Sequence, residues 1–456
     1  MGEMSVPDEV LYGASTQRAV LNFPISGHRM PARFIHALGL VKWACASANK
    51  QLGRLSEATA DRICEASLEI HRGALDAHFP IDVFQTGSGT STNTNANEVI
   101  ANWIARNPAE PGGKASAVYP NDHVNLGQSS NDVILSTLYV SVALALRDSL
   151  LPALAFLRGS LEKKAGLWKN IIKIGRTHLM DAVPLTLGQE FSGYAAQAAK
   201  AAGRVERAIE SLAELAIGGT AVGTGINTHP KFASIVCRLL SEKTKMNFRE
   251  TDNHFETQGA RDDCVEVAGH LLAVCAALTK IANDVRLLST GPRAGLREIV
   301  LPATQPGSSI MPGKVNPVMS EMLVQVCHYT TGLCSTVVAA GRDGHLELNV
   351  NLPLMAHGLH EAIACLSQGA RVFAERCIDG AVADEERCRD LVSRSLMLVT
   401  ALTPHIGYDA AAGVAKRALK ENRTLREIVL AEKLLDAATL DRALDAKTMI
   451  SPRDDG

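Results

Sequence analysis

Apolar residues recur along this chain in steps of three and four, the spacing of a single buried helix face. The clearest case is DDCVEVAGHLLAVCAALTKIANDVRLLS, from Asp262. There Cys264, Val267, Leu271, Val274, Leu278, Ile281, Val285 and Leu288 keep that step. About 28 residues at 1.5 Å each predict a helix roughly 42 Å long. YAAQAAKAAGRVERAIESLAEL, from Tyr194, predicts a second, whose alanines favour helix and let neighbouring helices approach closely. Further long helices are expected after Asn131 and after Pro317. Strand signals are thin. The expected fold class is all-α, a bundle of unusually long helices. Three regions are expected: 1–128 with short helices and Gly/Pro breaks, 129–353 with the long helices, and 354–456 with shorter, more charged helices broken at TPHIGYD and ENRT.

Composition narrows the function classes. The chain has 456 residues, 46% of them hydrophobic, which allows a large core and more than one domain. Lys plus Arg is 46 and Asp plus Glu is 48, for a net charge of −2. That balance argues against electrostatic binding to nucleic acid or to a membrane surface. The start, MGEMSVPDEVLYGASTQR, lacks a basic region followed by an apolar core, so no signal peptide is expected. No membrane span is expected, and the expected location is cytoplasmic. The ten cysteines are scattered without a CxxC pair and read as reduced core thiols.

Polar residues concentrate in four segments that precede helical patterns. They are TGSGTSTNTN (86–95), PNDHVNLGQSSND (120–132), GRTHLMDAVPLTLGQE (175–190) and GSSIMPGKVNP (307–317). In the last, Asn316 is expected to cap and Pro317 to occupy the first helical turn. Helix N-termini offer free N–H groups and the positive end of the helix dipole. Hydroxyls and amides add neutral donors, and Lys314 adds a full charge. Brought together, the four would bind a small dianion; taken singly, each reads as an N-cap with its turn. His123, His254, His357 and His360 lack metal-ligand context and read as structural, so no metal site is expected.

With these motifs the chain resembles the fumarase/aspartase superfamily, and within it the class II fumarases. GSSIMPGKVNP is similar to the superfamily signature. TGSGTSTNTNANEV, NDHVNLGQSSNDV, GRTHLMDAVPLTLGQE, GGTAVGTGINTHP and both chain ends agree with it. The resemblance implies a three-domain helical protein whose central domains pack, four subunits together, into a twenty-helix core. It implies active sites shared between three subunits. The implied reaction is reversible hydration of fumarate to L-malate, by anti addition and elimination through an aci-carboxylate, without cofactor. Aspartate ammonia-lyase and a lyase on a substituted fumarate are the alternatives. A recruited, non-catalytic structural protein is the reading from another class.

That reaction removes a very weakly acidic proton beside a carboxylate, so the site must stabilise a dianion and supply a base and an acid on opposite faces. By resemblance, Ser308 is the base, with converging backbone N–H groups and Lys314 expected to lower its pKa. His178 acts through a water on the leaving-group side, and Glu321 is its carboxylate partner. Lys314 and Asn316 correspond to carboxylate ligands. Ser88, Thr90, Asn93, Ser129, Ser130, Asn131, Thr177 and Ser309 correspond to substrate-binding positions. Two departures stand out. Tyr119 and Ser116 replace a histidine and a basic residue of a second, surface dicarboxylate site, which is therefore expected to be weak or absent. Asn351 and Leu352, in ELNVNLPLMAHG (347–358), replace a bulkier lysine-containing version expected near the active site.

Overall fold

In the computed structural model, which describes residues 2–108 and 117–452, five long helices dominate. They are Ser130–Ala145, continuing through Leu146–Leu150 into Leu151–Leu167, then Leu187–Ser211, Asp262–Leu288, Val318–Gly341 and Leu352–Phe373. The helix read from Asp262 ends at Leu288, one residue short of its expected span. Its eight spaced apolar residues are all buried. The helix read from Tyr194 begins earlier, at Leu187.

The chain forms two compact units. The first comprises Met1–Pro152, Ala201–Ala276 and Val326–Gln368. Within it, helix Ala32–Gln51 lies against helix Glu57–His71. A Cβ on Gly39 would stand 2.6 Å from the Ser67 carbonyl oxygen, so glycine lets these two backbones touch. Glu98, on helix Thr90–Arg106, accepts the backbone N–H groups of Gly13, Ser15 and Thr16 and so caps helix Ala14–Asn22 from a distance.

The second unit comprises Ala153–Lys200, Ala277–Gln325 and Gly369–Gly456. Its C-terminal core gathers Leu402, Val414, Ile428 and Leu440 around Ile174. Strand Ile172–Thr177 pairs antiparallel with Met180–Thr186. This hairpin replaces the plain cap-and-helix reading of the third polar segment: IKIGRT buries Lys173 and Ile174, and MDAVPLT buries Pro184 and Thr186. All ten cysteines are free, and eight are buried.

Three helices, Ser130–Leu167, Asp262–Leu288 and Val318–Gly341, are long and apolar enough to cross a membrane by length and composition. The stretch 322–341 carries no Asp, Glu, Lys or Arg, which the expectation of no apolar span overlooked. Only 28% of the apolar window of Val318–Gly341 is buried within the chain.

Candidate active site

In the first unit the polar segments at 86–95 and 120–132 meet. The helix after the first segment starts inside it, at Thr90, rather than after it. Gly89 enters the left-handed region at φ 71°, and Gln85 Oε1 accepts from Thr92 N at 3.1 Å and Thr92 Oγ1 at 2.8 Å. That borrowed cap lets a Thr/Asn-rich run be helical, with Asn93 buried. Ser88 Oγ and Thr90 Oγ1 lie 2.8 Å apart.

Ser129 is the N-cap of helix Ser130–Ala145, with a reciprocal bond from its own N–H to Asp132 Oδ1 at 2.8 Å. Asp132 also accepts from Gly218 N and Thr220 N, each at 3.0 Å, and burial pushes its carboxyl up to about 6. The Asn131 amide donates to Ala221 O at 2.7 Å. Thus the GGTAVG stretch is tied to the start of this helix. Asn93 Nδ2 donates to Ser130 Oγ and to Asn125 Oδ1, each at 3.1 Å. Asn93 and Ser130 thus join the two segments, with Ser88 and Thr90 a few residues before Asn93 and Ser129 and Asn131 on either side of Ser130.

The departing segment borders this shell. Leu352 N donates to Gly87 O at 2.9 Å, while the Leu352 side chain is buried. Asn351 Nδ2 is within 3.3 Å of Ala340 O, so it serves its own turn. Tyr119 is exposed, and its N–H donates to His123 Nδ1 at 3.0 Å. Ser116 lies outside the described residues. His254 bonds Ala216 O and Glu250, and the His357 ring lies 5.4 Å from that of His28.

In the second unit, Thr177 and His178 sit at the tip of the hairpin. Thr177 pairs with Met180, leaving His178 and Leu179 as the two-residue turn. Both have positive φ, 54° and 62°, a conformation that usually calls for Asn-Gly. Neither is glycine, so the turn that presents His178 is strained. The base of the hairpin is fixed by charge. Buried Lys173 pairs with Glu190 at 2.9 Å and with fully buried Glu298 at 3.1 Å, and Arg176 pairs with the same Glu298 at 3.0 Å. Burial raises the Glu190 carboxyl, with Lys173 pulling the other way.

The segment at 307–317 is a tight loop. Gly307 N donates to Lys314 O at 2.8 Å, and a Cβ on Gly307 would stand 2.5 Å from that oxygen. Gly313 turns the chain at φ 79°. Ser308 Oγ accepts from Ile310 N at 3.2 Å and Met311 N at 3.0 Å. Two N–H donors thus converge on this hydroxyl, the arrangement that stabilises an alkoxide. Helix Val318–Gly341 starts after Pro317, and the Asn316 amide does not cap it. Instead it donates to Gly307 O at 2.8 Å and closes the loop. A cavity of about 450 Å³ lies against Pro306, Gly307, Ser308, Gly313 and Lys314. Ser309 and Lys314 are exposed, and Lys314 forms no ion pair among the described residues. Glu321 is half-buried in the first turn of the helix. Among the described residues of this unit, no ion pair or hydrogen bond joins His178 to Glu321.

Reading from sequence passed over Gln85, Asn125 and Gln128, whose amides organise the first unit's shell. It also passed over Lys42, fully buried on helix Ala32–Gln51, which donates to Asn125 Oδ1 at 3.0 Å and Gln128 Oε1 at 2.9 Å. The available signal was a lone lysine inside the apolar run LGLVKWACASA.

A serine hydroxyl held by backbone donors, a lysine beside it and a histidine on a strained turn are parts suited to proton abstraction and elimination, the work of a lyase. The family described as Lyase matches residues 2–332, and the chain belongs to it. The description Fumarase C C-terminus matches residues 398–451. More particularly, the chain is 48% identical to Fumarate hydratase class II of Xylella fastidiosa, over 98% of this chain and 93% of that protein. It is 50% identical to Fumarate hydratase class II of Corynebacterium efficiens, over 98% and 95%. Among solved structures, recombinant class II fumarase from Schistosoma mansoni matches with a TM-score of 0.96 at 38% identity, covering 99% of this chain and 98% of that one. The fumarate lyase:delta crystallin from Brucella melitensis bound to cobalt matches with a TM-score of 0.94 at 41% identity, with the same coverage.

Proposed function

We infer that this chain is a lyase that reversibly hydrates fumarate to L-malate. The observation that carries this reading is the near full-length match to relatives named Fumarate hydratase class II, in a chain that keeps Ser308, Lys314, His178 and Glu321 together. In the direction of dehydration, Ser308 as alkoxide takes the C3 proton of malate. The two N–H groups on its oxygen support that role by favouring the deprotonated form. The electron pair left at C3 delocalises into the adjacent carboxylate as a dianionic aci-carboxylate. Lys314 offers positive charge to it, and the remaining Asn316 amide hydrogen offers a donor. Collapse forms the double bond and expels hydroxide at C2, protonated from the His178 side through a water. Thr90, Asn93, Ser129, Ser130, Asn131 and Thr177 orient the two substrate carboxylates, with Ser88 and Ser309 flanking them.

The functional assembly is a homotetramer, with each site built from three subunits and the long helices of 129–353 as the assembly region. Two observations support this. Val318–Gly341 has a largely uncovered apolar window, a surface suited to burial by other copies. His178 and Glu321 do not pair within one chain, as expected if the partner of each comes from another subunit. The location that fits this reading is cytoplasmic. The test is fumarate formation followed by absorbance, with L-malate and L-aspartate offered separately to the same enzyme. Turnover of L-malate is expected; turnover of L-aspartate alone overturns the reading.

A further inference from the structure

Lys42 has no carboxylate partner within ion-pair distance among the described residues, yet it is fully buried. A buried, unpaired cation is costly, so what it holds is informative. Burial lowers its pKa to about 8, while Cys45 and Asp132 pull it up, so it remains largely charged at neutral pH. An ammonium group only donates. It therefore fixes the side-chain oxygens of Asn125 and Gln128 toward itself. With Asn125 Oδ1 so placed, Asn93 and Asn97 meet an acceptor and must present their NH₂ groups, at 3.1 and 3.2 Å. Their own oxygens are left buried without partners, a cost that flipping either amide would exchange for two facing oxygens. Asn93, thus oriented, also donates to Ser130 Oγ. Ser130 accepts there, which leaves its own proton available for another acceptor.

We propose that Lys42 is a positioning residue that sets, from the core, the hydrogen-bond direction of the substrate shell, so that Ser130 donates to a substrate carboxylate. This rests on the reading of Ser130 as a substrate-binding residue. Asn49, seven residues on along the same helix, supports the arrangement by donating to Leu126 O at 2.9 Å. Helix Ala32–Gln51 thus grips the 125–131 stretch at two points.

The test is steady-state kinetics with L-malate on the full enzyme for Lys42→Met, Ser130→Ala and the double variant. Lys42→Met is expected to raise KM about tenfold with a much smaller change in kcat, and the double variant to match Ser130→Ala rather than multiply the two effects. An unchanged KM in Lys42→Met, with a raised KM in Ser130→Ala, overturns the proposal alone. So do effects that multiply in the double variant. An unchanged KM in Ser130→Ala overturns the reading of the site and the proposal with it. If Lys42→Met fails to fold, Asn125 decides. Asn125→Asp keeps the acceptor oxygen and Asn125→Leu removes it, so Leu is expected to raise KM about tenfold more than Asp. Equal KM values for the two overturn the proposal.

Discussion

The shell around Asn125 and the loop around Ser308 are built in opposite ways. One half-buried side chain offers a single oxygen, Asn125 Oδ1, to Lys42, Asn93 and Asn97, and every donor comes from a different stretch of chain or another helical turn. The loop from Ala303 to Val315 is mostly exposed, and its hydrogen bonds stay local, within 307–316. A shell fixed by the core is suited to holding a substrate of set shape. A self-held loop with glycine corners is suited to moving with the substrate while keeping a local hydroxyl activated. On the proposed function, binding and chemistry fall to regions held in these two different ways.

The largest effect expected from breaking this comparison is at its glycines. A Cβ on Gly87 would lie 1.6 Å from the Val350 carbonyl oxygen, so Gly87→Ala forces backbone apart and is expected to cost about 3 kcal/mol or more. A Cβ on Gly313 meets nothing within 4 Å, so Gly313→Ala carries only its left-handed strain, about 1 kcal/mol. Denaturant unfolding of both variants checks this; equal costs would remove the distinction between the regions.

Acid should loosen the first unit. His360 Nε2 lies 2.9 Å from Ser141 Oγ, whose own proton goes to Leu138 O, so the histidine is the donor. Its Nδ1 is buried without a partner, and burial first, then Arg33 and His357, lowers its pKa from 6.5 to about 3. Between those values the unfolded chain takes up a proton that the folded chain refuses. Stability is therefore expected to be full above about pH 6.5 and to fall as pH drops toward 3. His360→Gln should flatten that decline, as read by melting temperature at pH 7 and pH 5. An equally steep decline in the variant would place the acid sensitivity elsewhere. The smallest effect is expected at Tyr119, which carries no positive charge. Tyr119→Ala should leave the malate KM within about twofold, and a dicarboxylate found bound at Tyr119 in crystals would contradict the expected weakness of a second site.

The long helices were legible because burial leaves a period that local sequence records, as from Cys264 to Leu288. The loop at 307–317 was legible because its glycines and hydroxyls act over a few residues, and the two donors on Ser308 match the expectation of converging N–H groups. The start of the helix at Thr90 was not legible. Its Thr/Asn run looks like a loop until Gln85 caps it and Asn125, more than thirty residues away, meets Asn93. The His178 turn escaped because it lacks the glycine that normally announces such a hairpin. Lys42 escaped because its partners lie 83 and 86 residues on, and a lone lysine in an apolar run does not name them.

The division of labour is tested most directly by L-malate kinetics on Ser308→Ala and Ser130→Ala side by side, with the oligomeric state checked in each. Ser308→Ala is expected to lower kcat by about 10³-fold with little change in KM, and Ser130→Ala to act chiefly on KM. A Ser308→Ala enzyme that keeps a substantial kcat would move the base elsewhere and contradict the account.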